Sequence, residues 1–311
     1  MNVFLTVDVE TYTGDYALDV HGYGKGLDYI VKVCGEHNVR ATFFVEALGA
    51  TRWGRGPLRK VCSLIKESGH EIQLHIHSNV ATIPGLKTEE DRLWAYDGAQ
   101  QRQLISTGLD ILRDCAQTEI KAFRAGDLMA NEATLAAMEQ LDLPLGSNRD
   151  LDCKSTIRSH VNEHFPVRND LSRRGGIIDL PISAFRSPFP MLDGRYRHLQ
   201  ICAVGMREMF HSLSRMAESG YLCATVLTHP HEFFRRAGET TVPRRKNCRR
   251  LRELVRFISS RPEMHPRTVS ECLAMRDIPT VSPPEIKVKA HHSLLRLGSQ
   301  LSDRLSTWLG T

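Results

Sequence analysis

The chain has 311 residues, 41% hydrophobic and 25% charged, which suffices for one large α/β domain with an ordinary buried core. A net charge of +5 with no aromatic-plus-basic binding motif leaves no case for a nucleic-acid partner. No apolar run approaches membrane-spanning length, and the eight cysteines are scattered without paired-Cys zinc spacing, which suits reduced thiols acting as small hydrophobes.

The first residues, 3–7, read as an apolar strand that turns polar at once. A helix is predicted over 26–37, with Leu27, Ile30, Val31 and Cys34 on one face. A β-rich run follows at 41–48, a second helix at 58–68 ended by Gly69, and a strand at 71–77. Residues 88–116 read as one long helical stretch, 122–126 as a strand, and 131–141 as a helix started by Asn131. The stretch 147–176 has no clean period and is expected to be a substrate-facing insertion. Beyond it come a short strand at 177–181, a helix at 206–219 ended by Gly220, a strand at 222–228 and a basic helix at 247–259. This strand–helix alternation implies a parallel sheet covered by helices, as a closed barrel or a doubly wound open sheet.

Prolines 279, 283 and 284 mark a linker, so the chain divides into a catalytic barrel at 1–278 and a tail at 279–311. Leu294, Leu295, Leu297, Leu301, Leu305, Trp308 and Leu309 fall near helical spacing in that tail, with Lys287, Lys289, Arg296 and Arg304 among them. The tail is expected to be an amphipathic helix, docked on the barrel or lying at a membrane surface. Eight basic residues crowd between Arg235 and Arg252, either as a solvated face or as a patch for an anionic partner.

Four segments carry chemistry, and all end predicted strands. In Thr6-Val7-Asp8-Val9-Glu10, alternation sends Asp8 and Glu10 to the same side. Two carboxylates that close are best tolerated beside a cation or with one protonated. In Gln73-Leu74-His75-Ile76-His77, both imidazoles share a face, the spacing that chelates a divalent metal. With Glu10 they form a set of two His and one carboxylate that leaves positions open for water and substrate. His229, after the apolar run 224–227, suits a general acid, with His231 as support or a loop residue. Arg124 in Phe123-Arg124-Ala125 can pair with a carboxylate and keep it ionised.

In this order the motifs resemble the polysaccharide deacetylase family, also called the NodB-homology domain or carbohydrate esterase family four, over about residues 1–275. The resemblance adds Ala41-Thr42-Phe43-Phe44-Val45 for the family's second strand and Gly69-His70-Glu71-Ile72 as the lead into its histidine motif. It implies a distorted (β/α)7 TIM-like barrel. By resemblance Asp8 is the catalytic base and Glu10, His75 and His77 are metal ligands. Arg124 holds the base and His229 is the acid. The family commonly spaces its two metal histidines four apart, a place held here by Asn79, so His77 or Asn79 completes the set. The chain also has Glu10 where Asp is commoner, and Arg124 is followed by Ala, Gly and Asp rather than by the usual aromatic.

The expected activity is hydrolysis of the N-acetyl group of an amino sugar with a divalent metal, zinc foremost, a backbone N–H within 125–127 helping to hold the oxyanion. The first strand begins almost at the N-terminus, which reads as no signal peptide and a cytoplasmic location. The expected substrate is therefore a nucleotide- or lipid-linked sugar precursor, with peripheral membrane contact through the tail. Two other readings stand beside it: a non-sugar C–N hydrolase on the same barrel, and a metal-free carbohydrate-binding relative without activity.

Overall fold

A computed structural model of the protein describes residues 1–10, 23–149, 151, 168–237, 239–275, 277, 278, 280, 281 and 283–298. Strand β1 (Asn2–Val9) leads to α1 (Tyr23–Glu36), β2 (Thr42–Glu46), the short α2 (Ala50–Trp53), α3 (Arg55–Glu67) and β3 (Glu71–Ile76). Next come α4 (Gly98–Ala116), β4 (Ala122–Ala125), α5 (Glu132–Gln140) and β5 (Leu145–Gly146). The second half holds β6 (Ser172–Arg174), β7 (Ile177–Asp179), β8 (Ala184–Arg186), α6 (Pro190–Asp193), β9 (Tyr196–His198), α7 (Met206–Glu218) and β10 (Cys223–Thr228). A hairpin of β11 (Phe234–Ala237) and β12 (Thr240–Pro243), then α8 (Arg245–Ser259) and β13 (His265–Pro266), complete the labelled elements.

Among the described residues, seven strands lie parallel in the order β10-β1-β2-β3-β4-β5-β7, with β6 antiparallel on the β7 edge. The sheet curls into the expected distorted barrel. Among the described residues no regular ladder joins β7 to β10; hydrogen bonds of the segment between them span the gap. Ser183 N–H donates to Thr225 O at 3.1 Å, Leu227 N–H to Leu199 O at 2.8 Å and Ile201 N–H to Leu227 O at 3.1 Å.

Residue alternation sorts the strands into two faces. On β1, Val3, Leu5, Val7 and Val9 join the large core shared with the helices, while Phe4 packs inside the barrel against Phe44, Ala122, Leu145, Ile178 and Cys223. Each such large apolar side chain contributes about 1.5–3 kcal/mol through burial. The same alternation that puts Phe4 inside carries Thr6, Asp8 and Glu10 up the interior toward the C-terminal rim. The N-terminal end is closed by residues 268–274: Val269 N–H donates to Thr42 Oγ1 and Glu71 Oε2 at 2.9 and 2.8 Å, and Cys272 is buried in the inner cluster.

The single helix expected over 88–116 is corrected. Helix α4 begins only at Gly98, and residues 81–97 form a loop broken by one 3-10 turn, Leu93–Ala95. Asp97 sets the boundary: its carboxylate accepts the Gln100 N–H at 2.8 Å while Gln100 Oε1 accepts the Asp97 N–H at 3.1 Å, a reciprocal cap. The insertion expected at 147–176 lies mostly outside the described residues, as do 299–311 of the tail.

Residues 283–298 lie along the barrel. Arg186 N–H donates to Ile286 O at 2.8 Å, Tyr221 OH donates to Pro284 O at 3.1 Å, and Ile286 and Val288 are buried. The helical segment 290–298 is latched to α7. There Arg296 Nε and Ser293 Oγ donate to the Glu208 carboxylate at 3.0 and 2.6 Å, with the Arg and Glu side chains 1% and 0% exposed. Leu294 and Leu295 stay about half exposed. Among the described residues no helix is long and apolar enough to cross a membrane. The seven described cysteines are all unpaired, and burial pushes the Cys34 and Cys62 thiols up to about 12.

Candidate active site

Asp8, at the C-terminal end of β1, and Glu10, just beyond it, are both buried inside the rim. Arg124 rises from β4 and is fully enclosed. Its Nη1 meets Asp8 Oδ1 at 2.5 Å, its Nη2 donates to Ser147 Oγ at 2.8 Å and Thr6 Oγ1 at 3.1 Å, and its Nε donates to Ser147 O at 3.1 Å. The guanidinium also lies 4.1 Å from the Phe44 ring centre. Burial draws the Arg124 pKa down, and the adjoining Asp8 carboxylate opposes that. Asp8 is thus gripped from inside the barrel.

Three histidines converge on one oxygen. Glu10 Oε1 lies 3.1 Å from His77 Nε2, 3.4 Å from His75 Nε2 and 3.6 Å from His229 Nε2. In each ring the other nitrogen is committed. His75 Nδ1–H donates to the Arg124 carbonyl at 2.8 Å, His77 Nδ1–H to Asp91 Oδ2 at 2.8 Å, and His229 Nδ1–H to Glu232 Oε1 at 2.9 Å. A neutral imidazole that donates through Nδ1 presents a lone pair at Nε2. Three lone pairs facing a buried carboxylate oxygen repel it unless a cation, proton or metal, stands between them.

The titration behaviour states the same demand. Burial pushes the Glu10 carboxyl up, but hydrogen bonds from His75 and His77 and the charges of His229 and His77 hold it well below the usual range. Burial works against a charged His77, yet Asp91 and Glu10 raise its pKa well above the ordinary value. His229 is likewise disfavoured by burial but is raised to about 9 by its bond to Glu232 and the charges of Glu10, Asp8 and Glu232. Two donor sets lie close enough to hold one ion: Glu10 with His75 and His77, and Asp8 with Glu10 and His229. The first fits a divalent ion better, because Asp8 is already bound to Arg124.

Asn79, the other residue that could complete the histidine pair, is exposed, whereas His77 faces Glu10. The Ala125 N–H is taken by Asn148 Oδ1 at 2.7 Å, which removes it as an oxyanion donor. Sequence reasoning missed Asp91, Glu232 and Gln200. Asp91 sat inside the helix predicted at 88–116, although the Asp97–Gln100 capping signature marked a later start. Glu232 three residues after His229 was a visible carboxylate; it also accepts from Thr228 Oγ1 at 2.7 Å and Gln200 Nε2 at 2.5 Å. His231 stands beside His229 with ring centres 5.0 Å apart and pKa lowered by burial.

The basic cluster divides. Arg250 is buried and donates to Ile201 O and Cys202 O, both at 3.1 Å. Arg235, Arg236, Arg244, Arg245, Arg249 and Arg252 are exposed. They begin close to the His229 loop, since Arg244 N–H donates to Phe233 O at 2.7 Å and Asn247 Nδ2 to Glu232 O at 2.7 Å.

Residues 3–146 match the sequence model of the polysaccharide deacetylase family. No curated protein matches the chain. Among solved structures, one described as a polysaccharide deacetylase from Mycobacterium smegmatis superposes with TM-score 0.59 at 17% identity, over 92% of this chain and 94% of that one. One so described from Pseudomonas aeruginosa gives 0.53 at 13% identity, over 87% and 88%. A 4-alpha-glucanotransferase from Thermococcus litoralis gives 0.54 at 11% identity, over 93% of this chain and 42% of that one. These likenesses establish a shared fold.

Proposed function

We propose, from the match of residues 3–146 to the polysaccharide deacetylase family, that the protein is a metal-dependent deacetylase that removes the N-acetyl group of an amino sugar. The observation that carries the reading is the convergence of three imidazole Nε2 atoms on Glu10 Oε1, each ring anchored through Nδ1. Glu10, His75 and His77 would hold the ion, zinc by the chemistry of the donors, and its contribution is Lewis-acid polarisation of the acetyl carbonyl and of water.

The remaining work belongs to side chains of this chain. Asp8, held by Arg124 through a 2.5 Å contact, takes the proton of the attacking water. The pairing fixes the orientation of the carboxylate. His229, protonated at neutral pH by its raised pKa, gives a proton to the departing amine nitrogen. Glu232, Thr228 and Gln200 hold that ring in place. The α1 backbone presses on the same loop: a Cβ at Gly26 would stand 2.0 Å from Pro230 O, so only glycine lets the helix approach so closely. The products are acetate and a free amino sugar.

The substrate we propose is an amino-sugar precursor carried on a nucleotide or lipid phosphate. Exposed arginines beginning at the His229 loop suit such an anionic carrier, and the unpaired described cysteines suit the cytoplasm. The test is acetate release by zinc-loaded protein from N-acetylated sugars offered free, nucleotide-linked and lipid-linked, with ammonia release measured in parallel. Acetate from a phosphate-linked sugar supports the proposal; no acetate from any of them sinks it.

A further inference from the structure

His77 owes its orientation to a residue outside the strand that carries it. The three rings at the rim are anchored in different ways: His75 on the carbonyl of Arg124 in the neighbouring strand, His229 on Glu232 three residues later, and His77 on Asp91 of the loop between β3 and α4. That loop is itself pinned. Ser78 Oγ and Tyr96 OH donate to Glu90 O at 2.7 and 2.6 Å, and Thr88 Oγ1 donates to Ala81 O at 2.7 Å. These bonds place Glu90 and therefore its neighbour Asp91. The second oxygen of Asp91, Oδ1, is buried with no hydrogen-bond partner, so burial is tolerated there for the sake of the contact that Oδ2 makes.

We propose that Asp91 is a positioning residue that makes His77, rather than Asn79, the ligand completing the set of Glu10 and His75. The inference rests on the metal centre proposed above. An Oδ2 that only accepts requires the proton on Nδ1, which leaves the Nε2 lone pair aimed at Glu10. A carboxylate behind the imidazole also makes Nε2 a better donor to a divalent ion. Without Asp91 the ring keeps its place on the strand but loses its tautomer and its tilt.

The test is zinc affinity of the purified full chain, measured by competition with a chromogenic chelator, for wild type, Asp91→Ala, Asp91→Asn, Asp91→Glu and Asn79→Ala. Asp91→Ala should bind zinc about 10–100-fold more weakly. Asp91→Asn should fall between it and wild type, Asp91→Glu should recover part of the loss, and Asn79→Ala should stay within about twofold. Melting curves of the zinc-free variants that coincide with wild type show that the loss is not unfolding; if Asp91→Ala unfolds, the near-isosteric Asp91→Asn decides. Zinc affinity within about twofold of wild type in a folded Asp91→Ala or Asp91→Asn overturns the proposal, as does an equal loss in Asn79→Ala. A wild type that binds no zinc overturns it together with the metal centre. Zinc binding with the Asp91 dependence but no acetate release supports this inference and removes only the proposed activity.

Discussion

Gly126 is packed against the ring of His77 so closely that a Cβ built on it would lie 2.6 Å from both Cε1 and Nδ1. Its φ is not positive, so glycine is required there by the neighbouring imidazole and not by its own backbone. Gly126→Ala should force the ring off its line to Glu10, lower stability by about 1–3 kcal/mol and weaken zinc binding. Gly35→Ala is the control. Nothing lies within 4 Å of its Cβ position in α1, and it should stabilise by up to about 1 kcal/mol. Urea midpoints with zinc titrations check both; unchanged zinc binding in Gly126→Ala contradicts the packing account.

Asp8→Asn tests the base. The amide keeps the shape, and the metal ligands are untouched, so zinc content should stay at the wild-type level. Turnover should fall about 10²–10⁴-fold, the usual worth of a placed general base. Acetate release measured beside zinc stoichiometry separates the two, and equal turnover would falsify the assignment.

The Glu208–Arg296 latch should matter for stability. Glu208→Ala leaves the Arg296 guanidinium buried without its carboxylate, a loss of about 3–5 kcal/mol when one member of an enclosed pair is removed. Chemical denaturation reads the size, and limited proteolysis should show earlier cutting after residue 283. A variant as stable as wild type means that 283–298 adds nothing to the barrel.

The zinc-free protein should be most stable in mildly acidic solution. His229 is raised to about 9 in the folded state, so its contribution is complete below its unfolded value near 6.5 and is lost as pH climbs through 9. Glu10 is shifted the other way, so its contribution is present above about 4.5 and is lost as pH falls. Melting temperature should therefore decline as pH rises from about 6 to above 9. Zinc should raise the melting temperature across that range, because the ion binds the folded protein. A zinc-free melting curve flat across that range contradicts the proposed protonation.

The barrel and most of its rim were legible because strand alternation is a local signal. Asp8 and Glu10, His75 and His77, and Arg124 are each placed by a two-residue period and a strand end. What escaped depends on distance along the chain. Asp91 is fourteen residues beyond His77, inside the stretch that reads as one helix from 88 to 116. The seal formed by Val269 and Cys272 rests on Thr42 and Glu71, a pairing that no window of sequence contains. Gly126 could be read as a turn, and only the position of His77 reveals its purpose.

The sealed floor beneath Phe4 and Phe44 turns the barrel into a cup instead of a tunnel. Among the described residues that leaves the lip around Glu10 as the open end, so under the proposed reaction both the acetate and the sugar would leave by it. The order of their departure becomes a property of that lip.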